Sequence, residues 1–235
     1  MAAVLPDIPK VETHILVLTN EVRREAKLGQ VAPSAVLAKA ARAYAEYLAR
    51  TGQFSHTADG KEPAKRAEAA GYRYCEIGEN LALHQDSRGF EARDLASKAM
   101  TGWINSPGHR ANIMAPHVTE IGIGVAKASD ADPKYIAVQL FGRPESAKYE
   151  FQIVNSSGTG LSYSFGAKTH DIAPHLSITH HACRPDSIVF QKPGTWLSGA
   201  TEIAKVTAED GKLYTLKADA SGKVVLEVGK RQKVK

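Results

Sequence analysis

Three short clusters place titratable side chains beside glycines or helix ends, where backbone geometry is set and a side chain can face a cleft. They are Gly52-Gln53-Phe54-Ser55-His56, then Gly78-Glu79-Asn80-Leu81, then the run from Trp103 to Met114 that carries His109. Two imidazoles and one carboxylate, His56, His109 and Glu79, make an open Zn2+ set that leaves a fourth position for water. A metal held this way brings the pKa of its water toward ~7 and makes it nucleophilic. Zinc hydrolases usually add a separate general base, as in the His-Glu-x-x-His helix, and no such pair occurs here. The alternative is a hydrogen-bonded network in which the two histidines and Glu79 tie the cleft walls together. Local readings also exist: His56 donating to a helix-end carbonyl, Glu79 as a turn carboxylate, His109 capping a short helical turn. Asn80 and Asn112 sit beside members of this triad and can orient them by a further hydrogen bond, or stitch loops. Tyr72, Tyr74 and Trp103 could wall a ligand cleft or pack in the core.

The elements that must position these groups read first as helices. Val11, Ile15, Leu18 and Val22 recur at helical spacing, with Gly29 as a stop. Pro33-Ser34 introduces a second helix with the stripe Leu37, Ala41, Tyr44 and Leu48, ending at Thr51-Gly52. A third begins at Pro63 and stops at Gly71. A fourth runs from about Phe90 to Asn105, with Leu95, Ala99, Met100 and Trp103 inward, and Ser106-Pro107-Gly108 breaks it. Then the period changes. Ile121, Ile123 and Val125 alternate with small residues, and Tyr135 to Phe141 is nearly all apolar, so both segments read as strands, the second a central one. Helices flanking such a sheet predict a layered α–β–α domain over 10–144.

From about Tyr149 short alternating segments are separated by Ser156-Ser157-Gly158, Gly166, Asp210-Gly211 and Ser221-Gly222. These are hairpin signals, and residues 148–235 read as a small all-β, sandwich-like domain. Its His170, His175, His180, His181 and Cys183 could supply copper or zinc ligands, although no spacing matches a defined motif. His180 to Cys183 alternates as along a strand, which would set His181 and Cys183 on one face; a polar loop with a buried Cys183 is the other reading.

The order and spacing of the first-half clusters resemble the bacterial branch of the CAP superfamily, the SCP-like or cysteine-rich secretory, antigen 5 and pathogenesis-related proteins. The resemblance begins at Leu18-Thr19-Asn20-Glu21-Val22-Arg23, with an Asn-x-x-Arg in the first helix, and passes through Phe54-Ser55-His56, Gly78-Glu79-Asn80 and Trp103 to Met114. It closes with Thr119-Glu120-Ile121-Gly122-Ile123-Gly124 and Val138-Gln139-Leu140-Phe141-Gly142. It implies a cleft lined by two histidines and two glutamates. His56, Glu79 and His109 match three of these; where many relatives carry the second glutamate this chain has Asn105-Ser106. It also implies an extracytoplasmic protein whose ligand is a lipid or sterol or a cell-surface glycan.

Of the 235 residues, 43% are hydrophobic and the net charge is +5. Basic residues lack the stripe with stacking aromatics that nucleic-acid binding needs, and no apolar run reaches the ~18 residues of a membrane span. The tail Lys230-Arg231-Gln232-Lys233-Val234-Lys235 reads as solvated, or as a weak hold on an anionic surface. No signal peptide is visible after Met1; a cytosolic start and a removed leader would look alike. Cys75 and Cys183 read as separate buried thiols, or as a bridge in an oxidising compartment. No Gly-x-Ser-x-Gly supports a serine hydrolase. The expected function is a non-catalytic extracytoplasmic module that binds a ligand or surface, its His/Glu cleft able to hold a divalent metal; the alternative is a metal-dependent hydrolase of peptide, cell-wall or lipid ester bonds.

Overall fold

The computed structural model describes residues 3–194 and 199–231, so the end of the basic tail, from 232 on, lies outside the described residues. Helix α1 (Ile8–Glu25) starts where the Asp7 carboxylate accepts from the Lys10 amide, with Pro9 in its first turn. It ends short of Gly29. Lys27 turns into the left-handed region (φ 59°), and the amides of Lys27 and Leu28 close back on the carbonyls of Arg24 and Arg23. Arg23 explains the early stop. Its buried guanidinium gathers the carbonyls of Gly29, Ile113 and Ala115 at 2.7, 2.7 and 2.9 Å, so the chain must fold back around it. Asn20, one turn earlier, exchanges two hydrogen bonds with the main chain of Val31. The Asn-x-x-Arg pair is thus a loop clamp.

Helix α2 (Ala35–Thr51) runs from Ser34 to a left-handed Gly52, and α3 (Pro63–Ala69) begins on its proline. After strand β2 (Tyr74–Gln85) come α4 (Ala92–Asn105) and α5 (Pro107–Ile113); Pro107 ends one helix and opens the next. Strands β3 (Glu120–Lys127) and β4 (Lys134–Pro144) join the short β1 (Ala32–Pro33) and β2 in a sheet of order β1-β3-β4-β2. The central place of β4 follows from its apolar run. The strand β2 does not follow from sequence: Gly78, Glu79 and Asn80 read as a turn, yet they lie mid-strand, paired with Phe141, Leu140 and Gln139.

One apolar layer joins α1 and α4 to the sheet through Val11, Ile15, Leu95, Trp103, Ile121 and Phe141. A second, on the opposite face, holds Leu37, Tyr44, Leu48, Leu81, Val138 and Leu140. This is an α–β–α sandwich. Gly122 and Gly124 on β3 let the backbone of α2 rest directly on the strand: an added Cβ would meet the Leu37 carbonyl carbon at 2.1 Å and the Arg42 amide nitrogen at 2.2 Å.

Contacts divide the chain after Ala147. The described residues of the second unit form two four-stranded sheets. One orders β10 (Thr201–Thr207), β9 (Ser187–Lys192), β6 (Leu161–Phe165) and β7 (Lys168–Ile172). The other orders β12 (Val224–Lys230), β11 (Lys212–Ala218), β5 (Tyr149–Ser156) and β8 (Ser177–Ala182). Phe151, Ile153, Tyr163, Phe190, Tyr214 and Leu216 fill the core between them. The Ser221-Gly222 turn is held by the Asp219 carboxylate, which accepts from the amides of Ser221 and Lys223, with Gly222 at φ 81°. Neither Cys75 nor Cys183 is a free thiol, and both are half-buried, in place of the expected separate buried thiols.

Candidate functional site

Strand β2 is an edge strand, and alternation along it sends neighbouring side chains to opposite layers. Glu79 points toward the α2–α3 layer. Its Oε1 lies 2.8 Å from His56 Nδ1, and its Oε2 accepts from Arg66 at 2.7 Å. His56 arrives four residues after the Gly52 cap of α2, with half of its side chain exposed while that of Glu79 is buried. Burial raises the Glu79 carboxyl above its ordinary range, and Arg66 and His56 pull against that shift.

Arg66 is the group sequence reasoning missed. Buried on α3, it pairs with Asp59 at 2.9 Å as well as with Glu79, donates to the carbonyls of Lys61 and His56, and lies 3.4 Å over the Tyr44 ring. The Tyr44 hydroxyl donates to the Ser55 carbonyl and accepts from the Ala58 amide, so the whole His56 loop is pinned to α2 and α3. Nothing in its spacing on this short helix marked it as buried.

Asn80 points into the other layer. Its amide nitrogen donates to the carbonyl of His109 (3.1 Å) and to Gln139 Oε1 (2.9 Å), and Gln139 continues the chain to Thr19. Asn112 donates to the Glu79 carbonyl and to Asn80 Oδ1. Both asparagines therefore act on the main chain of the strand and of α5. They position His56's partner and His109 through the backbone, not by touching either side chain. Gly78 gives Asn112 its room, for a Cβ there would stand 3.0 Å from the amide oxygen. His109 is half-buried, and burial together with the nearby His56 lowers its pKa.

The three expected triad members thus gather at one edge of the sheet, but Glu79 has both oxygens engaged and a guanidinium against it. Among the described residues no group of three His, Cys, Asp or Glu side chains is set to hold a metal ion. The residues fit a two-imidazole arrangement with Glu79 orienting His56, not three ligands around one ion. Trp103 does not line the cleft. It is 1% exposed, packs in the α1–α4 layer and donates from its indole nitrogen to the Leu81 carbonyl. Tyr72 is buried in the α2 layer, and with Tyr74 it borders a different recess, beside Arg73 and Glu145.

In the second unit His170 and His180 enter the aromatic core. His180 Nε2 meets the Tyr163 hydroxyl at 2.7 Å and stacks on Phe151, while His170 stacks on Tyr163. His181 points outward toward Glu150. The alternating strand read at His180-His181 is present as β8, and it places His180 inside and His181 outside, in place of a polar loop.

Residues 16–141 match the family described as the cysteine-rich secretory protein family, CAP. The chain is 29% identical over 118 residues to the uncharacterised protein YkwD of Bacillus subtilis, covering 50% of this chain and 43% of that one, so it spans less than half of this relative. An extracellular SCP-domain protein of Bacillus anthracis is 25% identical, covering 58% of this chain and 41% of its own, with a TM-score of 0.49. An outer surface protein of Borrelia burgdorferi is 23% identical with a TM-score of 0.50, over 57% of this chain and 93% of that one; it carries the same fold. Among the described residues no helix is long and apolar enough to cross a membrane.

Proposed function

Because the chain belongs to the cysteine-rich secretory protein (CAP) family, we propose that it is an extracytoplasmic, non-catalytic binding module whose cleft between His56 and His109 receives its ligand. One observation carries this: Glu79, the carboxylate at the cleft, is buried, with one oxygen on His56 and the other on Arg66. A general base must reach the proton it removes and carry a lone pair to take it. Glu79 is buried with both oxygens engaged, which keeps it from reaching a substrate proton, and the neighbouring Asn105-Ser106 supplies no second carboxylate. This argues against the hydrolase. Lipid, sterol and cell-surface glycan are the ligand classes to test first.

A divalent cation is the second reading, favoured by the state of the imidazoles. Glu79 holds His56 by Nδ1, which leaves Nε2 as the ring's remaining ligand atom, and the lowered pKa of His109 keeps that ring neutral at pH 7. A bound Zn2+ would supply Lewis acidity for gripping a ligand oxygen. Calorimetric Zn2+ titration of the intact chain against His56→Ala/His109→Ala tests the site. Binding lost in the double variant, with no hydrolysis of peptide, muropeptide or ester substrates, is the expected result. Turnover that disappears in His56→Ala would overturn the non-catalytic reading.

A further inference from the structure

Arg66 has a second side. Between α2 and α3 lies an open recess of about 360 Å3, whose lining does not include His56, Glu79 or His109. Ala40 and Ala43 from α2, with Ala69 and Ala70 at the end of α3, leave it hollow. Its walls carry Lys39, Arg50, Lys61 and Arg66 against one carboxylate, Asp59, which Arg66 already pairs. Lys39, Ala43, Tyr47 and Arg50 recur at helical spacing, so one stripe of α2 presents two cations with an aromatic ring between them. Tyr47 is half-buried, stacks 6.2 Å from Tyr44, and has the Arg50 guanidinium 5.6 Å from its centroid.

We propose that this recess binds a phosphate monoester carried on a small ring compound, such as a sugar or aryl phosphate. Lys39, Arg50 and Lys61 are exposed and form no ion pair among the described residues, so their charge is directed at solvent and available to an anion. Cations of one sign around an apolar-walled hollow attract a dianion more strongly than the same charges scattered on a flat surface. The arginine fork matches phosphate geometry, and the lysines act as point charges beside it. The alanine floor and the Tyr47 ring give the carrier an apolar surface that inorganic phosphate would not use. The volume suits such a compound and lies at the small end of the ~300–1,000 Å3 common for ligand pockets. The recess shares Arg66 with the Glu79 and His56 contacts, but its three exposed cations touch none of His56, Glu79 and His109, so the two sites are tested by different substitutions.

The test is a titration of the intact chain with phenyl phosphate, phenol and inorganic phosphate, followed by backbone amide NMR shifts. Phenyl phosphate should give saturable shifts confined to α2, α3 and the Asp59–Lys61 turn, weakening as salt is added. Its affinity should fall at least tenfold in Lys39→Ala/Arg50→Ala, whose substitutions are on the surface and leave the thermal midpoint in place. His56→Ala should leave it unchanged. No saturable shift on these elements, or equal affinity in the double variant, overturns the site. Inorganic phosphate binding as tightly as phenyl phosphate overturns the organic carrier.

Discussion

Glu79 and Asn80 are neighbours on one strand, yet they build opposite kinds of interior. On the α2–α3 side the polar contacts are ionic: Glu79, Arg66, Asp59 and the His56 ring. On the α1–α5 side the contacts that reach Asn80 are neutral amides and a hydroxyl: Gln139, Asn112 and Thr19. The buried Arg23 on that side is held on main-chain carbonyls, with no carboxylate partner among the described residues. Both networks fix one histidine, but by different physics. Buried ions depend on every partner being present, because one missing charge strands the others in a low-dielectric interior. Buried amides lose one hydrogen bond at a time. The cleft therefore has one brittle wall and one graded wall.

The sharpest way to break this contrast is Arg66→Met, which leaves Glu79 and Asp59 without their cation. It should cost about 3–5 kcal/mol in urea unfolding, and Arg66→Met/Glu79→Met should recover part of that loss. An equal loss in single and double variants would show that the ionic wall acts through packing alone. On the neutral wall Gln139→Leu removes the link between Asn80 and Thr19 and should cost about 1–3 kcal/mol. Asn112→Ala should cost less, about 1 kcal/mol, and should lower Zn2+ affinity by roughly tenfold through a looser α5. The smallest effect is on pH. His109 titrates below its ordinary 6.5 in the folded chain, so the unfolded chain takes up the proton first as pH falls. Its contribution is complete above pH 6.5 and declines below it. Thermal midpoints at pH 7 and 5 should therefore converge in His109→Asn relative to the parent.

What the sequence disclosed divides along the same line. His56, Glu79 and His109 stood out because each is a titratable group beside a glycine or helix end, and the helices declared themselves by period and caps. Strand β2 was hidden because the residues that serve the site are polar and interrupt the apolar alternation a strand shows. Trp103 reads from sequence both as a wall and as core, because an aromatic beside a site residue has two uses and only burial separates them. Arg66 was invisible because an arginine on a short helix is ordinarily solvated; its role depends on Asp59, Tyr44 and Glu79 converging from three separate segments. The inward turn of His180 was out of reach for a related reason, since which face of β8 is covered depends on strands distant in sequence.

The contact of α2 with Gly122 and Gly124 gives the cleft its datum. Where a helix lies on a strand backbone to backbone, the spacing between them contains no rotamer and no packing choice, so it cannot drift as side chains change around it. His56 is measured off from that datum through the fixed turn at Gly52. The position of a solvent-facing imidazole is thus referenced to two glycines that have no functional group and lie far from it along the chain. A methyl group added at Gly124 would be felt as a misplaced histidine.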